Sequence, residues 1–325
     1  MRSFLIRLGL AAAASCLLLP AGAQPDAEPK VPTVIKIVVP FSPGASNDAI
    51  ARAVAPPLAK RLGTTVIVDN KPGAAGVIGA DAVAKGPRDG SVLLLTSSTF
   101  LTAAATQPRL PYDPVAAFAP VAMVGQGPLL LAVSAQTGIR TPAELVAAAR
   151  AKPGTLTYGT SGMGSIAHMA TEMFSDSAKV QLRHVPYKGA ANALMDMAAG
   201  QIDVMISNYS SLASQIKSGR VRPLAVTSRQ ATPAFPDLPP LGSVAPGFAA
   251  DIWVSVLAPA GTPAPLVQRL NRELNAIAAT PELRALLEAD GAVPAALSPA
   301  ELAQRIKEDL AVWKKVAAEK RIAVD

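Results

Sequence analysis

The sequence predicts an α/β protein made of two lobes. Strand and helix signals alternate along the chain, and the alternation occurs in two separate series, over residues 34–96 and 156–227. The length of 325 residues also suits two domains better than one. Each series is expected to form a mostly parallel sheet covered by helices.

The first series opens with a β-branched strand and ends with another apolar strand. Its predicted strands and helices, in order, are 34–39, 48–61, 66–68, 77–85 and 92–96. Gly63 follows the first helix, where a left-handed residue commonly ends a helix. Four prolines between 106 and 120 predict a long surface loop.

The second series lies between two apolar strands, 129–133 and 252–257. Its predicted strands are 156–158, 182–185, 204–207 and 224–227, and its helices are 165–174, 190–199 and 211–218. Thr141, Pro142 and Glu144 form a helix start ahead of it, and a loop at 231–247 follows it. The closing helices are predicted at 265–279, 281–288 and 299–319.

The two bracketing strands are predicted to be the crossings between lobes. Lobe 1 would then be discontinuous, 24–130 with 252–325, and lobe 2 would be the insertion 131–251. Two crossings of this kind make a hinge beside a cleft, where ligands commonly bind.

Residues 1–23 have the features of an export signal. Arg2 and Arg7 precede a short apolar run, 8–19, and Ala21-Gly22-Ala23 gives a small-residue cleavage pattern. We expect cleavage after Ala23 and a periplasmic location. The alternatives are a short N-terminal anchor and a lipoprotein, but the apolar run continues past Cys16, which argues against lipidation there.

The composition excludes several kinds of chemistry. One Cys and two His provide no internal disulfide, no CxxC site and little material for zinc, so no metal site is expected. The Gly pattern at 159–164 reverses the dinucleotide fingerprint, and no cofactor is predicted. Scattered basic residues and 4% aromatic residues argue against nucleic acid as a partner.

Two Gly- and Ser-rich loops, 41–48 and 159–168, each follow a strand and precede a helix. Helix N-terminal N–H groups and nearby hydroxyls suit a small anion, although both loops could be merely tight turns. Asp48 is interpreted as a helix-start carboxylate, so Asp48→Asn should cost little stability. His168 is expected to line the cleft or to pack.

An exported serine hydrolase is the alternative from another class. It would use Ser161 or Ser165 with His168, but the nucleophile-elbow pattern fails at Met163. No catalytic residue is therefore assigned, and the protein is predicted not to be an enzyme.

Several short segments together resemble one family, the exported Bug-type receptors of tripartite tricarboxylate transporters. They occur in the family's order over nearly the whole chain after residue 23. The segments are IVVPFSPG (37–44), VDNKPGAAG (68–76), LPYDP (110–114), YGTSG (158–162), HVPYKG (184–189), GQIDVM (200–205), LAVTS (224–228) and APAGTP (258–263).

The resemblance implies a periplasmic-binding-protein-like Venus flytrap of two α/β lobes joined by two crossing strands. It implies capture of a small carboxylate, a di- or tricarboxylate or an amino acid, and delivery to integral-membrane transporter subunits by a monomer. A receptor for a membrane signalling partner is the open alternative. The ligand-binding residues that it implies are Phe41, Gly44, Ala45, Ser46, Asn47, Ser97, Ser98, Thr99, Thr160, Ser161, Gly164, Ser165, His168, Tyr187, Lys188, Gly189 and Asn208.

Two positions depart from the family pattern. The family usually has Gly-Gly where this chain has Gly44-Ala45, and often has Asp where this chain has Ser207. A Cβ at Ala45 is expected to restrict positive φ and to narrow the cleft. Both differences could change which ligand is chosen.

Overall fold

The structure is a computed structural model that describes residues 29–324. The predicted signal segment 1–23 and its cleavage point lie outside the described residues. The strands are β1 Val34–Val39, β2 Thr65–Asn70, β3 Val92–Ser97, β4 Phe118–Pro128, β5 Leu130–Ser134, β6 Thr157–Thr160, β7 Arg183–Pro186, β8 Val204–Ser207, β9 Val221–Val226, β10 Asp251–Pro259 and β11 Val293–Pro294. The helices are α1 Ser46–Leu62, α2 Val77–Ala84, α3 Thr99–Thr106, α4 Pro142–Ala151, α5 Ile166–Ala178, α6 Ala190–Ala198, α7 Tyr209–Lys217, α8 Ala264–Ala278, α9 Pro281–Glu288 and α10 Pro299–Glu319.

The strands form two sheets, and the α/β fold class is confirmed. The six-stranded sheet has the order β11-β4-β10-β3-β1-β2. Strands β1, β2 and β3 run parallel, whereas β10 pairs antiparallel with both β3 and β4. The first sheet therefore takes its strands from both ends of the chain.

The five-stranded sheet has the order β7-β6-β8-β5-β9. Strand β6 is parallel to β7 and β8, and β5 is antiparallel to β8 and β9. In both sheets the carboxyl ends of neighbouring parallel strands lie at one edge, where ligands of open α/β sheets bind.

The passages between the sheets differ in detail from the predicted crossings. Strand β5 lies wholly in the second sheet and β10 wholly in the first, so neither strand itself crosses. The chain passes over at Leu129, between β4 and β5, and returns through 227–250. Thr227 connects the two segments that pass between the sheets, because its Oγ1 accepts a hydrogen bond from the Leu129 N–H at 2.7 Å.

Packed apolar side chains also connect the sheets. One core cluster includes Leu94 and Trp253 near the first sheet and Tyr158 and Phe174 near the second. The end of the chain adds polar links, since Lys320, which follows α10, pairs with Glu172 of α5 at 3.4 Å and also with Asp176 of that helix. No helix in 29–324 is both long enough and apolar enough to cross a bilayer.

Helix α3 and strand β4 were not predicted from the sequence. The α3 sequence TFLTAAAT is short and Thr-rich, and it begins directly at the end of β3. Strand β4 contains Pro120, Gly125 and Gly127, residues that disfavour strands, so the predicted loop extended too far. Pairing along β10 overrides this weak local preference.

Candidate functional site

A cavity of about 270 Å³ lies between the two sheets at the carboxyl ends of β1, β3, β6 and β8. Both sheets contribute to its wall, the second sheet through Ser161, Ile166 and Asn208. The predicted ligand-binding residues that line it are Phe41, Ala45, Ser46, Asn47, Ser97, Thr99, Ser161 and Asn208.

Four helices point their N-terminal ends at this cavity. Helix α1 begins at Ser46, α3 at Thr99, α5 at Ile166, and α7 follows Asn208. The N-cap side chains of α1, α3 and α7 make no capping hydrogen bond, whereas Ser165 caps α5. The first N–H groups of a helix have no partner within the helix, so α1 and α3 offer donors to the cavity.

Asp48 belongs to the first turn of α1 and points away from the cavity. Its carboxylate accepts hydrogen bonds from the Gly44 N–H at 2.9 Å, Arg52 Nε at 3.0 Å and Asn70 Nδ2 at 2.9 Å. These bonds, that of Arg52 foremost, lower the pKa of Asp48 to about 2. Asp48 lies in the first turn of α1 as expected, but the N-cap is Ala45, so the cap that Asp48→Asn was expected to preserve is not made by Asp48, which instead fixes the preceding loop.

The substitution at Ala45 does not strain the backbone. Gly44 takes the left-handed conformation with φ 83°, whereas Ala45 has φ −69°. The expected restriction of positive φ at Ala45 therefore does not apply. Ala45 presents its methyl group to the cavity wall, and Ser207 ends β8 just before the wall residue Asn208.

The loop after β6 uses most of its polar groups within the second lobe. Thr160 Oγ1 lies 2.7 Å from His184 Nε2, and Ser165 Oγ donates to the Gly162 carbonyl at 2.8 Å. The Gly164 N–H donates to His168 Nδ1 at 3.1 Å. Thr160, Gly164, Ser165 and His168 are predicted site residues, but none of them lines the cavity.

His168 and His184 stack with their ring centroids 3.9 Å apart, and Tyr158 stacks on His184. Burial lowers the pKa of each imidazole to about 4, and the neighbouring imidazole adds to the shift at His184. The pair is therefore neutral at ordinary pH and acts as packing for the loop. Sequence reasoning left this outcome open for His168.

The remaining predicted residues also lie outside the wall. The Tyr187 hydroxyl donates to Asp196 at 2.7 Å, Lys188 is exposed, and Gly189 is the N-cap of α6. Ser98 is buried, and its N–H donates to the Trp253 carbonyl. Gly44 supports the wall through Asp48 without lining it.

The geometry does not form the Ser–His pair that hydrolysis requires. His168 Nδ1 is occupied by the Gly164 N–H, and Ser165 Oγ meets only the backbone of Gly162 and His168. Ser161, the other candidate nucleophile, faces the cavity while His168 does not. Acid–base activation needs the two side chains within hydrogen-bond reach.

The larger aliphatic residues of the wall and the single acidic residue among those described in it, Asp290, were not predicted from the sequence. Because side chains alternate between the two faces of a strand, the spacing of Ile252 and Val254 in β10 could have predicted that they lie on one face of the sheet. In the sequence, Asp290-Gly291 indicates only the end of a helix, so no local pattern predicts that Asp290 lines the cavity. The missed lining residues are Ile50, Gly125, Gln126, Ile166, Ile252, Val254, Leu286, Leu287, Asp290 and Ala292.

Comparison with known proteins identifies the family. The model of the tripartite tricarboxylate transporter family receptor matches residues 50–322. Protein BugT of Bordetella pertussis is 34% identical over 322 residues, 98% of each chain. A UPF0065 protein in the tcbD-tcbE intergenic region of Pseudomonas sp. is 38% identical over 299 residues, 91% of this chain and 88% of its own. The structure of R. palustris Rpa4515 with adipate has a TM-score of 0.78 and 33% identity, covering 89% of this chain and 98% of that one. The chain therefore belongs to the tripartite tricarboxylate transporter family of receptors, which are solute-binding proteins and not enzymes.

Proposed function

We propose that this receptor captures a small organic carboxylate in the cavity between its two sheets and delivers it to tripartite tricarboxylate-type transporter subunits in the membrane. The observation that carries the proposal is the convergence of helix N-termini on the cavity, with α1 and α3 lacking their own caps. Helix N-terminal N–H groups and the helix dipole stabilise an anion there. Adipate in the R. palustris relative supports the same ligand class.

Hydroxyl groups supply the other donors that a carboxylate needs. Ser46, Ser97 and Thr99 come from the first sheet, and Ser161 comes from the second. The described wall contains no Lys or Arg, so the anion would be held by neutral donors and by waters that bridge to them. We infer that each sheet with its helices moves as a lobe, and that a ligand bridging Ser46 and Ser161 favours the closed arrangement.

Calorimetric titration of the ligand-free protein with a panel of organic acids tests capture. We expect saturable binding, with Ser46→Ala and Thr99→Val each weakening it about fivefold, because one hydrogen bond contributes about 1 kcal/mol. Ser42→Ala is the matched control, since Ser42 is an exposed hydroxyl of the same loop outside the wall. Binding of another ligand class with no response to any organic acid would contradict the proposal.

Delivery is tested in cells that express the receptor with its cognate membrane subunits. Uptake of the labelled carboxylate should disappear when the receptor is deleted, and it should return with the wild type but not with a Ser46→Ala, Thr99→Val double variant. Uptake that is unchanged by deletion, together with a changed transcriptional response to the carboxylate, would assign signalling instead.

A further inference from the structure

One acidic side chain lines a cavity whose other polar groups suit an anion. Asp290, just after α9 of the first sheet, lines the cavity and is the only charged residue among those described in its wall. Its Oδ1 accepts a hydrogen bond from the Ser210 N–H at 2.8 Å, and Ser46 Oγ lies 3.5 Å from its Oδ2. Asp290 thus reaches from the first lobe to the N-terminus of α7 in the second.

Asp290 uses one of the four helix N-termini for the protein itself. Asn208 makes no capping bond to α7, and the Asp290 carboxylate takes the place of that cap. The donors left to a ligand are therefore at α1 and α3, near Ser46 and Thr99. The two groups that reach Asp290 are uncharged, so its negative charge is not cancelled by them.

The rest of the wall includes a set of aliphatic side chains beside its polar groups. Half of the lining residues are apolar, and the larger aliphatic ones come from α1, α5, β10 and α9. They are Ile50, Ile166, Ile252, Val254, Leu286 and Leu287. These aliphatic side chains favour the hydrocarbon part of a ligand and cannot themselves hydrogen-bond a second charge.

We propose that the cavity selects a carboxylate with one charged end and an apolar body, and that Asp290 sets this selectivity by repelling a second carboxylate. The inference rests on the proposed function and narrows its ligand class. A like charge on the wall of the same cavity disfavours a ligand with a second carboxylate, and the Asp290 carboxylate already accepts hydrogen bonds from the Ser210 N–H and Ser46 Oγ.

Three six-carbon acids that differ only at the far end test the proposal by calorimetry on the ligand-free protein. Hexanoate ends in a methyl group, adipate in a second carboxylate and 6-aminohexanoate in an ammonium group. We expect hexanoate to bind at least tenfold more tightly than adipate and more tightly than 6-aminohexanoate. Asp290→Asn, which keeps an oxygen for the Ser210 N–H, should strengthen adipate binding at least tenfold and lower the ratio of hexanoate to adipate affinity by a similar factor.

Glu288→Gln is the matched control, because it removes one exposed negative charge two residues away and outside the wall. It should leave the ratio of hexanoate to adipate affinity unchanged. Tighter wild-type binding of adipate, or tightest binding of 6-aminohexanoate with its loss in Asp290→Asn, would overturn the inference and leave carboxylate capture standing. Failure of every organic acid to bind would overturn both.

Discussion

The loops after β1 and β6 have similar composition and equivalent places in the two sheets, yet they use their polar groups differently. In the first loop, residues 41–48, the N-cap Ala45 leaves the first N–H groups of α1 without a side-chain cap, and Ser46 and Asn47 line the cavity. In the second, residues 159–168, Ser165 caps α5 and His168 holds the Gly164 N–H.

The difference assigns separate roles to the two loops. The first loop keeps donors for a ligand, and Asp48 fixes its shape from behind. The second loop satisfies most of its own donors, and Ser161 is the residue of this loop that lines the cavity. A Gly- and Ser-rich loop therefore indicates a binding site only when its donors are left without partners inside the protein.

Alanine at Gly44 of the first loop and at Gly164 of the second, both glycines with positive φ, should reveal the largest difference in packing between the loops. A Cβ at Gly164 would lie 2.5 Å from Thr106 Oγ1, whereas at Gly44 it would meet no atom within 4 Å. We expect Gly164→Ala to lower the free energy of unfolding by about 3 kcal/mol and Gly44→Ala by about 1 kcal/mol, from backbone strain alone. Urea unfolding measures both, and equal losses would contradict the tighter packing of the second loop.

Removal of the Asp48 carboxylate should loosen the first loop. Asp48→Ala leaves the Gly44 N–H without its acceptor and removes one of the two hydrogen bonds that Asn70 Nδ2 donates, so we expect a loss of about 2 kcal/mol in thermal unfolding. Asp48→Asn retains one oxygen and should lose about half as much. Glu319→Ala, which breaks an exposed pair with Lys315, is the control and should change stability by less than about 0.5 kcal/mol. A loss at Asp48 no larger than at Glu319 would count against this role.

Acid should weaken the second loop before the first. The pKa values of His168 and His184 fall from 6.5 to about 4, so between these pH values the unfolded chain binds more protons than the folded one. Stability is then fully present above pH 6.5 and falls towards pH 4 by up to about 1.4 kcal/mol per pH unit for each imidazole. The carboxylate of Glu172 opposes the shift at His184 without cancelling it.

Urea unfolding between pH 7 and 4 measures this slope, and His184→Gln should make it shallower. The Asp48 contribution lies lower, between pH 3.8 and about 2, since its pKa is depressed and its stabilisation is lost as it protonates. A wild-type slope that is unchanged in His184→Gln would show that the imidazole stack does not titrate as described.

Alanine at two serines of the second loop should affect different properties, stability at Ser165 and ligand affinity at Ser161. Ser165→Ala removes the α5 cap and should cost about 1 kcal/mol of stability while changing carboxylate affinity less than twofold. Ser161→Ala should leave stability nearly unchanged and weaken affinity about fivefold. Thermal unfolding and calorimetric titration of both variants measure the two effects. Loss of affinity in Ser165→Ala with unchanged affinity in Ser161→Ala would place the ligand deeper in this loop.

The sequence predicts the two α/β lobes and the first loop well because both depend on local signals. Strand and helix alternation is local, and so is the Gly-Ser-rich turn before α1. The aliphatic wall and Asp290 could not be predicted, since they reach the cavity through strand pairing and helix packing distant in sequence. The buried position of the His168 side chain depends on stacking with His184, which lies in β7 and is distant in sequence. The extents of the lobes, the monomeric state and signal cleavage stay predictions.

Amide chemical shifts of the isotopically labelled, ligand-free protein during titration with a carboxylate test the central claim most directly. Saturable binding should shift the N–H signals of Ser46, Asn47 and Thr99, the uncapped helix starts at the cavity, and leave those of Gly164 and His168 nearly unmoved. Shifts confined to another surface, or to Gly164 and His168, would contradict a carboxylate site at the N-termini of α1 and α3.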